Sequence, residues 1–361
     1  MKRIVAILLC MVLMATCFTA CGEKEAGVVN LLTYEGYIPE EVVNGFKEKT
    51  GITISLTAVS SNEEMYEKLK ASPELYDLTI TSDYMLDTMI KEEMLLKLDT
   101  SKIPNFKNID PEYQSKYYDS ANEYTVPYAP GRPLIVYDSL KITVPITSYA
   151  DLWKPELANS LAMFDDPRVV TGITLLALGK DFNSANKADL DAALEKLKAL
   201  KPNIKLLNSN FTHENIISGD ASIGLLFTSA AAMLSAEDEK YKIVYPSEGL
   251  GFGIDCLAVS SKAPNADNTY KLLDYLLDAE IGAQISESIL YLCANKASEE
   301  FLSEGYKNNP ALFISEDFKD AGFIMPLDDA TNQIYSDNWT AFKNSGSNAT
   351  VEGVDDLEGD N

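Results

Sequence analysis

The stretch LLTYEGYIP, residues 31–39, sets Tyr34 and Tyr37 three residues apart, where an apolar run stops and a Pro-Glu-Glu helix start begins. Rings on such a loop suit ligand contact, because loops over a rigid scaffold carry binding groups. The competing reading is an amphipathic ring half-buried at the end of an element. Carboxylates form a second set: Asp83 within Ser82-Asp83-Tyr84, Asp165-Asp166 in LAMFDDPR, and Asp255 in GLGFGIDC. Asp166 facing Asp255 is an arrangement that glycoside hydrolysis uses, although acidic pairs are plentiful in a chain with 55 acidic residues. Other catalytic chemistry finds little material. The single histidine, His213 in NSNFTHENIISG, reads as a capping or solvent-facing group near a helix start. Zinc-ligand spacing, GxSxG, a Walker loop and GxGxxG are all missing from the sequence, so no metal or cofactor is expected. GLGFGID, residues 249–255, lacks a following helix to hold a phosphate and reads as a flexible crossover.

Short apolar runs alternate with helix-period segments around these residues: VVNLLTY then PEEVVNGFKEKTG, ITISLTAV then SNEEMYEKLKAS, YDLTIT then DYMLDTMIKEEM. The alternation predicts α/β structure with helical crossovers, and Ser61 followed by Glu64 has capping-box spacing. A second series runs RPLIVYD, LAMFDD into PRVVTGITLLALG, DLDAALEKLKAL, then ASIGLLF into TSAAAMLSA. Two α/β lobes suit this number of strands better than one sheet. Open sheets bind ligands beyond the carboxyl ends of their strands. That is where Tyr34, Tyr37, Ser82, Asp83, Tyr84, Asp165, Asp166, Phe227 and Asp255 fall.

A formal charge of -25, from 55 acidic and 30 basic residues, sets nucleic acid aside, since a phosphate backbone would be repelled. At the N-terminus, Lys2 and Arg3 precede an apolar run from Ile4 to Ala15, too short for a stop-transfer helix and flanked like a secretory signal. Phe18-Thr19-Ala20-Cys21-Gly22 resembles the bacterial lipoprotein box, with Phe18 where Leu is usual; the resemblance implies cleavage before Cys21 and lipid on it. Diacylation there would anchor the chain stably. Losing residues 1–20 removes Lys2 and Arg3 and takes the charge from -25 to -27. Cys256 and Cys293 would then be the remaining possible pair, as a disulfide or as buried thiols. Residues 21–28 read as a tether, and 344–361 as a disordered acidic tail.

LLTYEGYIPEEVVNGFKEKTGI, SNEEMYEKLK, YDLTITSDYMLDTMIKEEMLLKLD, SYADLWKPEL, LAMFDDPR and VYPSEGLGFGIDCLAVS are similar, in that order, to segments of bacterial polyamine-binding proteins, the spermidine/putrescine receptors of ABC transporters. The resemblance covers about residues 29–343. It implies an α/β, two-lobed type II periplasmic-binding-protein fold with a hinge and an interlobe cleft. Its crossings would lie near Arg132, Gly253 and Asn295, giving lobe 1 as 29–132 and 257–295 and lobe 2 as 133–256 and 296–343. It further implies a monomeric, non-enzymatic, extracytoplasmic receptor, lipid-anchored on the outer face of the cytoplasmic membrane or periplasmic, that hands a small cationic amine to ABC permease subunits.

Carried over residue by residue, the aromatic walls correspond to Tyr34, Tyr37, Tyr84, Phe227 and Tyr291, and the amine-binding carboxylates to Asp166 and Asp255. Ser82 keeps a family hydroxyl, and Asp83 stands where a small hydroxyl residue is usual. Gly36 and Val169 replace common glutamates, Gly253 replaces a cleft tryptophan, and Met325 replaces a polar residue. Arg132, if it faces the cleft, opposes a purely cationic ligand. These departures leave open an amine that also carries an anionic group. The chemistry is simple: aromatic faces cover methylenes and attract ammoniums by about 0.5 to 2 kcal/mol per contact, while carboxylates accept the N–H groups that water gives up.

Overall fold

The computed structural model describes residues 27–208, 212–313, 318, 320–346 and 350–351. The signal segment 1–20, Cys21 and most of the tether lie outside the described residues, as do 347–349 and 352–361 of the tail.

The chain opens with β1 (Gly27–Tyr34), α1 (Glu40–Thr50), β2 (Ile52–Val59), α2 (Asn62–Ala71), β3 (Leu78–Ser82) and α3 (Asp83–Lys91). β1 runs parallel to both β2 and β3. Period-two alternation splits the strand side chains between two cores. Val29 and Leu31 join Val42, Phe46, Leu78 and Ile80 on one face, whereas Leu32 meets Met65, Leu69 and Leu86 on the other. Each such fully buried side chain contributes about 1.5 to 3 kcal/mol. α1 stops at Gly51, whose φ of 71° lets its N–H close on the Lys47 carbonyl at 2.7 Å. At α2, Ser61 Oγ accepts the Glu64 N–H at 3.1 Å, but the Glu64 carboxylate reaches back to Ser60 N–H (2.9 Å) and Oγ (3.0 Å). The capping box therefore closes one residue early on its second arm.

β4 (Thr125–Gly131) belongs to the first sheet and β5 (Pro133–Asp138) to the second, with Arg132 as the passage between them. The second sheet collects β6 (Leu161–Phe164), β7 (Ile204–Asn208), β8 (Ile223–Phe227) and β9 (Tyr241–Val244). Its helices are α4 (Pro167–Ala177), α5 (Lys187–Leu200), α6 (Thr212–Ile217) and α7 (Thr228–Glu237). β6 is parallel to β7 and β8, while β5 runs antiparallel to β8 and β9.

β10 (Leu250–Val259) returns to the first sheet, antiparallel to β3 and β4. Leu250 is still buried in the second-lobe core and pairing with β4 begins at Gly253, opposite Gly131, and residues 250–255 of GLGFGID are strand rather than flexible crossover. Hydrogen-bonded neighbours outweigh the poor β-propensity of its glycines, and one of them sits in a tight place: a Cβ at Gly251 would press on the Phe182 ring at 3.2 Å. α8 (Ala266–Leu276) and α9 (Ala279–Ile289) cover this lobe. The chain then leaves it between Asn295, bridged to Ile109, and Leu302, buried in the second lobe. After α10 (Glu304–Lys307), β11 (Asp320–Phe323) pairs with β10, so part of the 296–343 segment assigned to lobe 2 sits in the first sheet. α11 (Asp329–Asn344) packs back on the second lobe, and β12 (Thr350–Val351) pairs with β7, giving order to two residues read as tail. Cys256 and Cys293 are free thiols.

Candidate functional site

Three strands run into helices with little or no loop, and each junction delivers candidate residues. β3 passes at Ser82 into α3, whose first residues are Asp83 and Tyr84; β6 passes through Asp165-Asp166 into α4; β8 passes at Phe227 into α7. After β1, the Tyr37 N–H closes on the Tyr34 carbonyl at 3.3 Å, with Gly36 at φ +72°. A glycine there supplies the left-handed residue such a turn needs, and the turn brings the two phenol rings together, 5.1 Å apart at 72°. Tyr291 meets Tyr37 edge-on at 5.8 Å, and Tyr128 lies 6.2 Å from it while donating to the Tyr37 carbonyl at 2.6 Å.

Asp255 is the centre of this group. Opposite Ser82 in the β10–β3 register, it is half-buried and accepts 2.5 Å hydrogen bonds from Tyr37 Oη and Ser82 Oγ. Asn62, at the start of α2, fixes that serine: its Oδ1 accepts from Ser82 N–H at 3.0 Å and its Nδ2 donates to Ser82 Oγ at 3.0 Å. Burial pushes the Asp255 carboxyl above the usual range, and the two hydroxyls pull only partly against it. The same burial, with the Asp255 charge, raises the Tyr34 and Tyr37 phenols, and Tyr291 is pushed up to about 12. Among the described residues no ion pair is made to Asp255.

Asp83 is 1% exposed. Its oxygens accept the Tyr84 N–H at 2.7 Å and the Ile254 N–H at 3.2 Å. Burial raises this carboxyl too, against those two N–H groups, and Asp255 adds to the rise. Tyr84 points elsewhere, to Glu63 Oε1 at 3.2 Å. Asp166, from the other lobe, is the N-cap of α4 and accepts the Val169 N–H at 2.8 Å. Burial lifts its carboxyl despite that bond, and its charge reaches Tyr84 across the cleft. Phe227 stacks on Phe164 at 4.5 Å and 14°.

Arg132 does not join the tyrosine cluster. Its guanidinium lies 4.4 Å over Phe252 and 4.5 Å over Phe318 and approaches Asp320 at 3.5 Å. The arginine that does influence the cleft acids is Arg168. It donates to the carbonyls of Phe182 (3.3 Å) and Met325 (3.0 Å) and to Asn183 Oδ1, and its charge acts on both Asp83 and Asp166. Sequence reasoning quoted Arg168 inside LAMFDDPR without weighing it, and missed Asn62, Glu63 and Tyr128. A basic residue in a first helical turn, or a tyrosine inside a strand, carries no distinguishing signal. Asp165, read alongside Asp166, is occupied within its own lobe by Trp339 Nε1 (2.5 Å) and Lys343 Nζ (3.2 Å). His213 lies in the first turn of α6, half-buried, and burial lowers its pKa. Among the described residues no cluster of acids, histidines and cysteines could hold a metal.

The first lobe thus gathers Tyr34, Tyr37, Tyr128 and Tyr291 around Asp255, and burial raises the carboxyls of Asp255, Asp83 and Asp166. Residues 41–314 match the family model described as bacterial extracellular solute-binding protein. The chain is 33% identical over 318 residues to spermidine/putrescine-binding periplasmic protein 1 of Haemophilus influenzae, covering 84% of this chain and 88% of that one. It is 37% identical over 279 residues to the spermidine/putrescine-binding periplasmic protein of Salmonella typhimurium, covering 77% and 80%. Among solved structures, the spermidine/putrescine ABC transporter substrate-binding protein of Streptococcus pneumoniae, in complex with calcium and HEPES, superposes with a TM-score of 0.79 at 30% identity, covering 89% of this chain and 99% of that one.

Proposed function

The chain belongs to the bacterial extracellular solute-binding proteins of the spermidine/putrescine type, and on that premise we propose that its own ligand is a polyamine held between the tyrosine cluster and the cleft carboxylates. As a member of that family it is a non-catalytic cell-envelope receptor that delivers a small ligand to an ABC permease. The glycosidase reading of Asp166 and Asp255 is thereby dropped.

One observation supports the polyamine reading: Asp255 is half-buried among phenol rings and, among the described residues, only neutral hydroxyls are bonded to it. A partly desolvated carboxylate lacking a cation is costly, and a ligand ammonium supplies the missing charge. Tyr34, Tyr37 and Tyr291 then cover the methylenes beside it. Asp166, Tyr84 and Phe227 extend the contact toward the second lobe. A ligand touching both lobes favours the closed form by its extra contacts there, and closure is what the permease reads. Lipid on Cys21 would tether the receptor beside that permease. Arg132, which motivated an amine bearing an anionic group, packs on Phe252 and Phe318 with Asp320 at 3.5 Å.

Isothermal titration with putrescine, spermidine, amino acids and phosphonates tests the reading. Saturable binding of the polyamines, lost in Asp255→Ala, is expected. Binding of amino acids or phosphonates with silence from the amines would overturn it.

A further inference from the structure

After β11 the chain leaves the first sheet for the second lobe, and the change is made residue by residue from Phe323 to Met325. Ile324 is bonded to the first lobe: its N–H donates to the Phe252 carbonyl at 3.0 Å, and its carbonyl accepts Tyr117 Oη at 3.3 Å. The residues on either side are bonded to the second. Asn183 Nδ2 donates to the Phe323 carbonyl at 2.9 Å, the Met325 N–H donates to Asn183 Oδ1 at 2.8 Å, and Arg168 donates to the Met325 carbonyl at 3.0 Å. Gly322, with φ +81° and nothing within 4 Å of a Cβ built on it, supplies conformational freedom one residue before these fixed points.

Arg168 follows the cleft acid Asp166 by two residues, in the first turn of α4. It is half-buried, and every acceptor its guanidinium reaches is neutral: the Phe182 and Met325 carbonyls and Asn183 Oδ1. Withdrawing a cation from water without an acid partner is costly. The ring of Phe182 lies 5.6 Å from it and that of Tyr335, on α11, 5.1 Å. The place of Phe182 is itself fixed, because a Cβ at Gly172 of α4 would strike that ring at 2.5 Å.

We propose that Arg168 is a positioning residue for lobe closure: its planar fork ties the Phe323–Met325 crossing to the helical turn that carries Asp166, so that a cation drawn to Asp166 bends the chain about Ile324. This rests on the polyamine reading above and adds the route by which a bound amine moves the lobes. Hinges are a few residues that absorb a change of backbone angle, and here they are bounded by bonds to opposite lobes. A guanidinium presents five N–H groups in a rigid plane and can hold all three acceptors, whereas a lysine ammonium is a point charge on a flexible stem.

Small-angle scattering and titration calorimetry with putrescine test the assignment. The unaltered protein is expected to contract when the amine saturates it. Arg168→Lys keeps the charge but loses the fork. Asn183→Ala removes the partner of both Phe323 and Met325 while keeping Arg168. Each is expected to weaken binding about tenfold or more, within the range that coupling between sites spans, and to lose the contraction at saturating amine. Asp165→Ala, weakened in the same lobe, is expected to bind and contract as the parent does, and thermal melts report whether each variant is folded. Full contraction of folded Arg168→Lys, loss of contraction in Asp165→Ala too, or an unaltered protein that binds putrescine without contracting overturns the assignment and leaves the receptor reading intact. Failure of the unaltered protein to bind putrescine or spermidine overturns that reading and the assignment with it.

Discussion

Replacing Asp255 with Asn keeps the shape of the side chain and removes its charge, and the consequences for binding and for stability have opposite signs. In the ligand-free protein the carboxylate accepts from Tyr37 and Ser82 at 2.5 Å each. Asn retains one acceptor, and its amide can donate to the other hydroxyl oxygen, so the geometry survives. Each charge-assisted bond of about 1.5 to 3 kcal/mol becomes a neutral one of about 0.5 to 1.5. Removing a desolvated, unpaired charge recovers several kcal/mol, and the net effect is a gain of about 1 kcal/mol, or roughly 2 to 4 °C in melting temperature. The carboxyl is raised in the folded state, so its share of stability is fully present below the unfolded pKa of about 3.9 and is lost as pH rises through the folded value. The Asn variant escapes that loss, and its advantage therefore shrinks as pH falls through the same window. Binding moves the other way: leaving a buried ligand ammonium unpaired costs about 2 to 4 kcal/mol, a weakening of roughly 30- to 1,000-fold. Melting scans of the free protein at several pH values, with polyamine titrations at neutral pH, read both effects. A variant that melts lower than the parent at neutral pH, or binds within threefold of it, would refute the reasoning.

Three further outcomes follow from the same geometry. Tyr34→Ala removes one phenol wall and should weaken polyamine binding by about 0.5 to 2 kcal/mol, roughly 2- to 30-fold, without lowering the melting temperature by more than a few degrees; calorimetry and melting curves on one preparation separate the two. Asp255, Asp83 and Asp166 all titrate high because of burial, and an arriving ammonium lowers them. Ligand uptake should therefore release protons and weaken as pH falls through the raised values; binding enthalpies independent of buffer ionisation heat over that range would contradict this. Asp165→Ala strips Trp339 and Lys343 of their acceptor and should cost about 1 to 3 kcal/mol in urea unfolding while leaving affinity unchanged; a loss of affinity equal to that at Asp166 would show that Asp165 faces the ligand.

Much of the fold was legible because it is local. ITISLTAV is β2 to the residue, and PRVVTGITLLA is α4. Pro167 at the first helical position after the Asp166 cap marks that helix start in the sequence itself. What failed was non-local. Glycines made 249–255 look like a crossover, yet pairing with strands from distant parts of the chain makes it β10. β11 is four residues whose partner lies some seventy positions earlier, and no periodicity announces it. The tyrosines and Asp255 were readable as types at strand ends, but their mutual contact depends on that same β10 register setting Asp255 opposite Ser82. Arg132 shows the reverse limit: its charge suggested the cleft, and only tertiary neighbours, Phe252, Phe318 and Asp320, give it another role.

The most direct test of the central claim is a crystal structure of the protein grown with putrescine or spermidine. Nitrogen density within hydrogen-bonding distance of Asp255, with the methylenes lying against the rings of Tyr34, Tyr37 and Tyr291, is the predicted result. An amine bound elsewhere on the surface, with the tyrosine cluster closed on itself and Asp255 bonded only to Tyr37 and Ser82, would contradict it.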